Sequence, residues 1–174
     1  GPVQAAFTPP EIREFGELTD CDPIVNPKDL EISEISQAEL DDPKNNNRRK
    51  NFEILKSYAE RGDTGKKRKF YAHFLKSPVE LIGSKQLEKI VLEKNVLTGE
   101  ANKQKAKGSG ETEELACGLL FRSIGYRGLP IDGVPFHDQW GTFPNEKGRI
   151  TENEQVVEGL YTAGWIKRGP SGVI

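Results

Sequence analysis

The stretch 159–174, GLYTAGWIKRGPSGVI, constrains the possible folds more than any other part of the chain. Its apolar run Gly159-Leu160-Tyr161-Thr162-Ala163-Gly164 predicts a short buried strand that stops at a glycine, and Gly169-Pro170-Ser171-Gly172 predicts a turn opening a helix. Gly164 and Gly172 would let backbone come close to a ligand. Pro170 suits a first helical turn, and free amides at such an opening favour anionic or carbonyl oxygens. Strand, glycine, turn and glycine in this order also serve packing in many folds, so the stretch has a structural reading beside the ligand reading.

A second constraint is a missing motif. A doubly wound dinucleotide enzyme holds the pyrophosphate on a strand, a G-x-G-x-x-G or A turn and a helix, and the 174 residues contain no such turn. The chain therefore reads as the far sides of such sites, a piece of a longer protein. Its 34% hydrophobic and 30% charged residues suit a soluble globular protein. No apolar run approaches the roughly 20 residues of a spanning helix, and no basic-then-apolar leader is evident, so neither a membrane nor secretion is expected. Cys21 and Cys117 stand far apart, outside any CxxC or metal spacing, and read as reduced, buried thiols in a cytoplasmic protein. A net charge of -2 argues against a general nucleic-acid binder.

Thr8-Pro9-Pro10-Glu11 predicts a helix start, with Thr8 as N-cap, proline in the first turn and Glu11 closing a capping box, the helix running to about Leu18. Residues 22–27 predict a short strand bounded by prolines. The acidic residues 29–42, with Leu30, Ile32, Ile35 and Leu40 irregularly spaced, predict a solvated connection. Phe52, Leu55, Tyr58 and Ala59 mark an amphipathic helix over 48–61, whose other face carries Arg48, Arg49, Lys56 and Arg61. A second basic cluster, 66–69, follows a Gly-Asp-Thr-Gly turn, and solubility alone accounts for such runs.

Residues 70–82 predict two strand pieces kinked at Pro78, 86–97 another strand with a bulge, and 98–111 an exposed hairpin loop. Residues 68–125 thus read as an antiparallel ribbon feeding a buried strand, 117–124. From 125–130, a candidate domain crossing, to Arg149, glycine, proline and asparagine recur as in an ordered meander. His73 and His137 lack metal-spaced partners and read as structural.

The segment 159–174, with Gly141-Thr142-Phe143-Pro144-Asn145 and Gly148-Arg149-Ile150 before it, resembles the C-terminal flavin-binding region of NADPH-dependent ferredoxin reductases of the adrenodoxin reductase type. The start, GPVQAAFTPPEIREF, resembles them too, and Gly1-Pro2 continues their arginine-arginine-glycine-proline pattern, so it reads as native. Ser77-Pro78-Val79-Glu80, residues 123–128 and Val134-Pro135-Phe136 fall in the family's order. The resemblance implies part of a two-domain, Rossmann-like α/β FAD/NADP flavoprotein reductase with an antiparallel β-ribbon. Residues 1–128 would be the C-terminal portion of the NADP-binding domain and 129–174 that of the FAD-binding domain. It implies FAD contacts at Trp165, Gly172, Val173 and Ile174, and NADP contacts at Glu11 and Gly172. It further implies docking of an acidic ferredoxin-type iron-sulfur protein on Arg48, Arg49 and Lys56. Ser171 stands where the family more often has threonine, and no side-chain acid, base or nucleophile set is required. Alternatives to this reading are a domain fragment or subunit without activity of its own, and a non-redox module binding an acidic partner through its basic helix.

Overall fold

A computed structural model describes residues 1–123, 125 and 127–169 and divides into two compact units, Gly1–Leu120 and Phe121–Ile174. The first begins with helix α1, Pro9–Glu17, whose entry is set as the sequence predicts: Thr8 is extended, proline fills the first turn, and the Thr8 amide donates to Glu11 Oε2 at 2.8 Å. Strand β1, Cys21–Val25, pairs in parallel with β2, Arg68–Ala72, from Cys21↔Arg68 to Val25↔Ala72. A parallel pair needs a long crossover, and here it contains α2, Glu34–Asp41, and α3, Asn46–Arg61. The apolar spacing on α3 buries Phe52, Leu55 and Tyr58.

Two apolar clusters result. Ile12, Val25, Leu55 and Tyr58 form one, with Phe15 and Ala72 against it; Val3, Leu40 and Phe52 form the other. Each fully buried aliphatic side chain contributes about 1.5–3 kcal/mol. The rings of Phe15 and Phe70 stack 4.2 Å apart, tying α1 to β2. The Tyr58 hydroxyl donates to the Ile12 carbonyl at 2.7 Å, and burial pushes its pKa up. A Cβ at Gly16 would meet that oxygen at 2.7 Å, so glycine is what lets α1 and α3 approach here.

Several local expectations are corrected. The acidic stretch is no solvated connection: α2 runs through it, capped by Ser33 Oγ accepting from the Ser36 amide, and it buries Leu40 and the carboxylate of Glu39. The apolar spacing hid this helix because its inward face is partly polar, Ser36 and Glu39 with Leu40. β2 is not part of the ribbon, since it joins the parallel pair instead.

The ribbon itself is β3, Lys76–Ile82, β4, Lys89–Thr98, and β5, Lys105–Ala116, antiparallel in that order. Its register shifts between Pro78 and Glu80 and between Glu93 and Asn95, where a kink and a bulge are expected. The predicted loop over 98–111 is mostly strand. Lysines and glycines disguised β5, whose side chains are almost all exposed. The predicted buried strand over 117–124 is absent from its described residues, where Leu119 and Phe121 are exposed. Cys21 and Cys117 are free thiols, half-buried rather than buried.

In the second unit, β6, Asn145–Glu146, β7, Arg149–Glu152, and β8, Gln155–Tyr161, form a small antiparallel sheet. Glu152 pairs with Gln155 across Asn153 and Glu154, both at positive φ, the pattern of a type I′ turn. Among the described residues here, the buried hydrophobics are Phe143 and Ile150. The run before Gly164 is thus a half-exposed edge rather than a buried strand, with Tyr161 75% exposed.

Candidate functional site

Gly164 takes φ 68° and starts a short helix, α4, Trp165–Arg168, which is not expected from the sequence and which precedes the turn expected at 169–172. Four residues cannot sustain a helix in water, so neighbours must hold it. At its start, the Thr162 amide donates to the Gly148 carbonyl at 2.8 Å. At its end, the Phe143 amide donates to the Ile166 carbonyl at 3.0 Å, and Asn145 Nδ2 donates to the Lys167 carbonyl at 2.8 Å. The α4 segment is therefore clamped at both ends by residues 143–148. Trp165 stands between the clamps, 41% exposed. Among the described residues, a Cβ built on Gly164 or Gly169 meets nothing within 4 Å. An exposed aromatic side chain on anchored backbone, next to a glycine where an added Cβ would meet no described atom, is the feature of this unit that suits a planar ring system. Gly172, Val173 and Ile174, with the turn they were expected to form, lie outside the described residues.

Glu11 is exposed on the first turn of α1, where its hydrogen bonds with Thr8, the backbone amide first, hold its carboxyl below the ordinary value. The capping role expected of it is filled. The basic residues of α3 are less free than the sequence suggests. Arg48 Nη1 lies 2.6 Å from Glu39 Oε2 and 3.2 Å from Asn102 Oδ1. Arg49 donates to the carbonyls of Leu40 and Asp42, at 3.0 and 3.3 Å. Lys56 pairs loosely with Glu53 at 3.5 Å and lies over the Phe52 ring. Arg49 and Lys56 are exposed and Arg48 is half-buried.

Sequence reasoning missed two buried carboxylates. Burial alone would raise the pKa of Glu39. It is held below its ordinary value because Gln104, the Asn102 amide and Gln4 donate to it and Arg48 lies beside it. Asp22, at the start of β1, likewise overcomes burial by accepting from Thr64, Lys69 and the Thr64 and Lys66 amides, and its pKa is strongly lowered. Lys69 also pairs with Asp63. The one local signal was an aspartate inside an otherwise apolar strand pattern, Asp22-Pro23-Ile24-Val25. Nothing local marked Glu39. A cleft of about 480 Å³ opens at the ends of β1 and β2, bordered by Asn26, Asp29, His73 and Lys76, and holds none of the expected site residues. Among the described residues, no cluster of three His, Cys, Asp or Glu side chains could hold a metal, and no helix is long and apolar enough to cross a membrane.

No family model matches the chain. It is 42% identical over 178 residues to the NADPH-ferredoxin reductase FprA of Mycobacterium tuberculosis, a match covering 100% of this chain and 37% of that protein. It is 33% identical over 192 residues to the mitochondrial NADPH:adrenodoxin oxidoreductase of Arabidopsis thaliana, covering 100% and 38%. The solved structure of Mycobacterium tuberculosis FprA in complex with NADPH superposes with a TM-score of 0.84 at 41% identity, covering 99% of this chain and 37% of that one. The chain thus spans little more than a third of the length of the curated relatives it matches.

Proposed function

We propose, from the premise that this chain is homologous throughout its length to the NADPH-ferredoxin reductases of the adrenodoxin reductase type, that it is the C-terminal part of such an enzyme. The intact protein would oxidise NADPH and reduce an acidic ferredoxin-type iron-sulfur protein, in the cytoplasm. The observation that carries this reading is the whole-chain match, 42% identical with no stretch left over, to a protein named for that activity. FAD and NADP, when bound, supply the redox chemistry: hydride uptake and the release of single electrons. The chain's own residues bind and orient them.

In this reading residues 1–128 belong to the NADP-binding domain and 129–174 to the FAD-binding domain. Trp165, with Gly172, Val173 and Ile174 after it, borders the flavin, and the α4 clamp fixes the backbone from which the indole projects. Gly172 also meets the nicotinamide end of NADP. Glu11 lies near the ribose of NADP, where its existing bond to the Thr8 amide fixes its direction and keeps it ionised. Arg49 and Lys56 offer exposed charge to the iron-sulfur partner, which would speed encounter at low salt. Arg48 belongs to the same face, although it is engaged with Glu39.

The decisive experiment purifies the intact protein and records its visible spectrum, then adds NADPH anaerobically, followed by an oxidised ferredoxin. Flavin absorbance that bleaches with NADPH and returns with ferredoxin is expected. A colourless intact protein that binds an acidic partner through α3 in a salt-sensitive way would instead favour the non-redox module.

A further inference from the structure

Three hydrogen bonds tie the segment that carries Trp165 to residues 143–148, two of them between backbone groups and the third from the side chain of Asn145. Asn145 Nδ2 donates to the Lys167 carbonyl at 2.8 Å and to the Phe143 carbonyl at 2.9 Å, while its Oδ1 accepts from the Gly148 amide at 3.1 Å. Both of its amide protons and one lone pair of its oxygen are thereby used, and these partners fix which end of the amide is nitrogen. One side chain therefore closes the β6–β7 turn and grips the far end of α4. Gly148, at φ 93°, completes the arrangement by accepting from the Thr162 amide at the near end.

We propose that Asn145 is the positioning residue for Trp165: it locks α4 to the β6–β7 turn and so sets the pose in which the indole meets the isoalloxazine ring. The inference rests on the flavin reading above. Without Asn145 the far end of α4 keeps only the Phe143–Ile166 bond, and a helix of four residues has little of its own to hold its last turn and the backbone of Trp165 in one place. Preorganised contact is what separates tight from loose cofactor binding when the same atoms are present.

Replacing Asn145 by aspartate keeps the acceptor for Gly148 but turns the donor into an oxygen facing two carbonyls. That geometry disfavours the ionised carboxylate and raises its pKa, whereas the protonated acid can donate one hydrogen bond again. The test uses the intact protein carrying Asn145→Asp or Asn145→Ala, with FAD as the probe. The dissociation constant and the visible flavin spectrum are measured at about pH 8 and about pH 5.5, each relative to wild type at the same pH. Asn145→Asp is expected to weaken FAD binding about ten- to a hundredfold at the higher pH, with a shifted spectrum, and to regain most of that loss in acid. Asn145→Ala, which introduces no charge, is expected to weaken binding at both pH values.

Wild-type FAD affinity and spectrum in Asn145→Ala overturn the proposal. So does an Asn145→Asp loss that acid does not relieve, since that marks general damage. Trp165→Leu, measured beside them, separates the two levels of the claim. If it leaves the flavin spectrum and affinity unchanged, the flavin reading fails and the positioning role with it. If it changes both while Asn145→Ala changes neither, the flavin reading stands and the positioning role alone falls.

Discussion

In Gly1–Leu120, α1 and α3 close over a parallel pair and bury Ile12, Val25, Leu55 and Tyr58. In Phe121–Ile174, the described residues bury Phe143 and Ile150 and leave Leu129, Trp140 and Tyr161 exposed. The first unit is held by side chains: two apolar clusters, with Asp22 tying a loop to β1 and Glu39 tying the β4–β5 turn to α2. The second is held by backbone amides and carbonyls meeting around glycine turns, with Asn145 at their centre. Such hydrogen bonds fix direction well but stabilise only modestly, about 1 kcal/mol each. Exposed apolar side chains gathered in this way are the mark of an interaction surface.

This contrast can be broken most sharply at Leu55. Leu55→Ala is expected to destabilise the first unit by about 3 kcal/mol, read from denaturant unfolding. Trp140→Ser in the same 174-residue chain should stay within about 0.5 kcal/mol. Comparable losses at the two positions would mean that the second unit has a core of its own.

Next in size is Arg48→Ala, which leaves the buried Glu39 with its other donors but without its ion-pair partner, a loss of about 2 kcal/mol. Lys56→Ala should change stability by less than about 0.5 kcal/mol, because its pair with Glu53 is exposed. Lys56 is therefore the cleaner probe of partner docking: weaker, less salt-dependent binding without unfolding is the expected result of Lys56→Glu.

The smallest effect near neutrality is the pH dependence. Asp22 and Glu39 both have lowered pKa values in the fold, so their contribution is complete above the ordinary carboxylate range, about pH 4. It is lost as the pH falls through their folded-state values. Unfolding midpoints of the first unit should be flat from about pH 6 to 8 and fall in acid. Asp22→Asn should flatten the acid limb.

Where the sequence was legible, periodicity or turn chemistry left a mark. Thr8-Pro9-Pro10-Glu11 announced α1, and the three- and four-residue apolar spacing announced α3, because both signals are local. α2 was illegible because its inward face carries Ser36 and Glu39, whose partners Gln4, Asn102 and Gln104 lie far away in the chain. β5 was illegible because exposed lysines, glycines and glutamates erase the alternation that normally betrays a strand. At the candidate site, Trp165 and its glycines could be singled out from residue types in order. Asn145 was noticed only as part of Gly141-Thr142-Phe143-Pro144-Asn145, since its importance comes from the Lys167 carbonyl, 22 residues downstream, which no spacing rule connects to it.

The β4–β5 hairpin has a further bearing on how the chain tolerates change. Its tip looks like any surface loop, yet the Asn102 amide and Gln104 side chain are bonded to Glu39, so the tip behaves as a bolt driven into the helical layer. Hairpin length is consequently not adjustable there: extra residues would pull the bolt and strand a buried carboxylate. A fluorophore, affinity tag or spacer belongs instead around Ser84 and Lys85, in the β3–β4 turn, where the side chains are exposed.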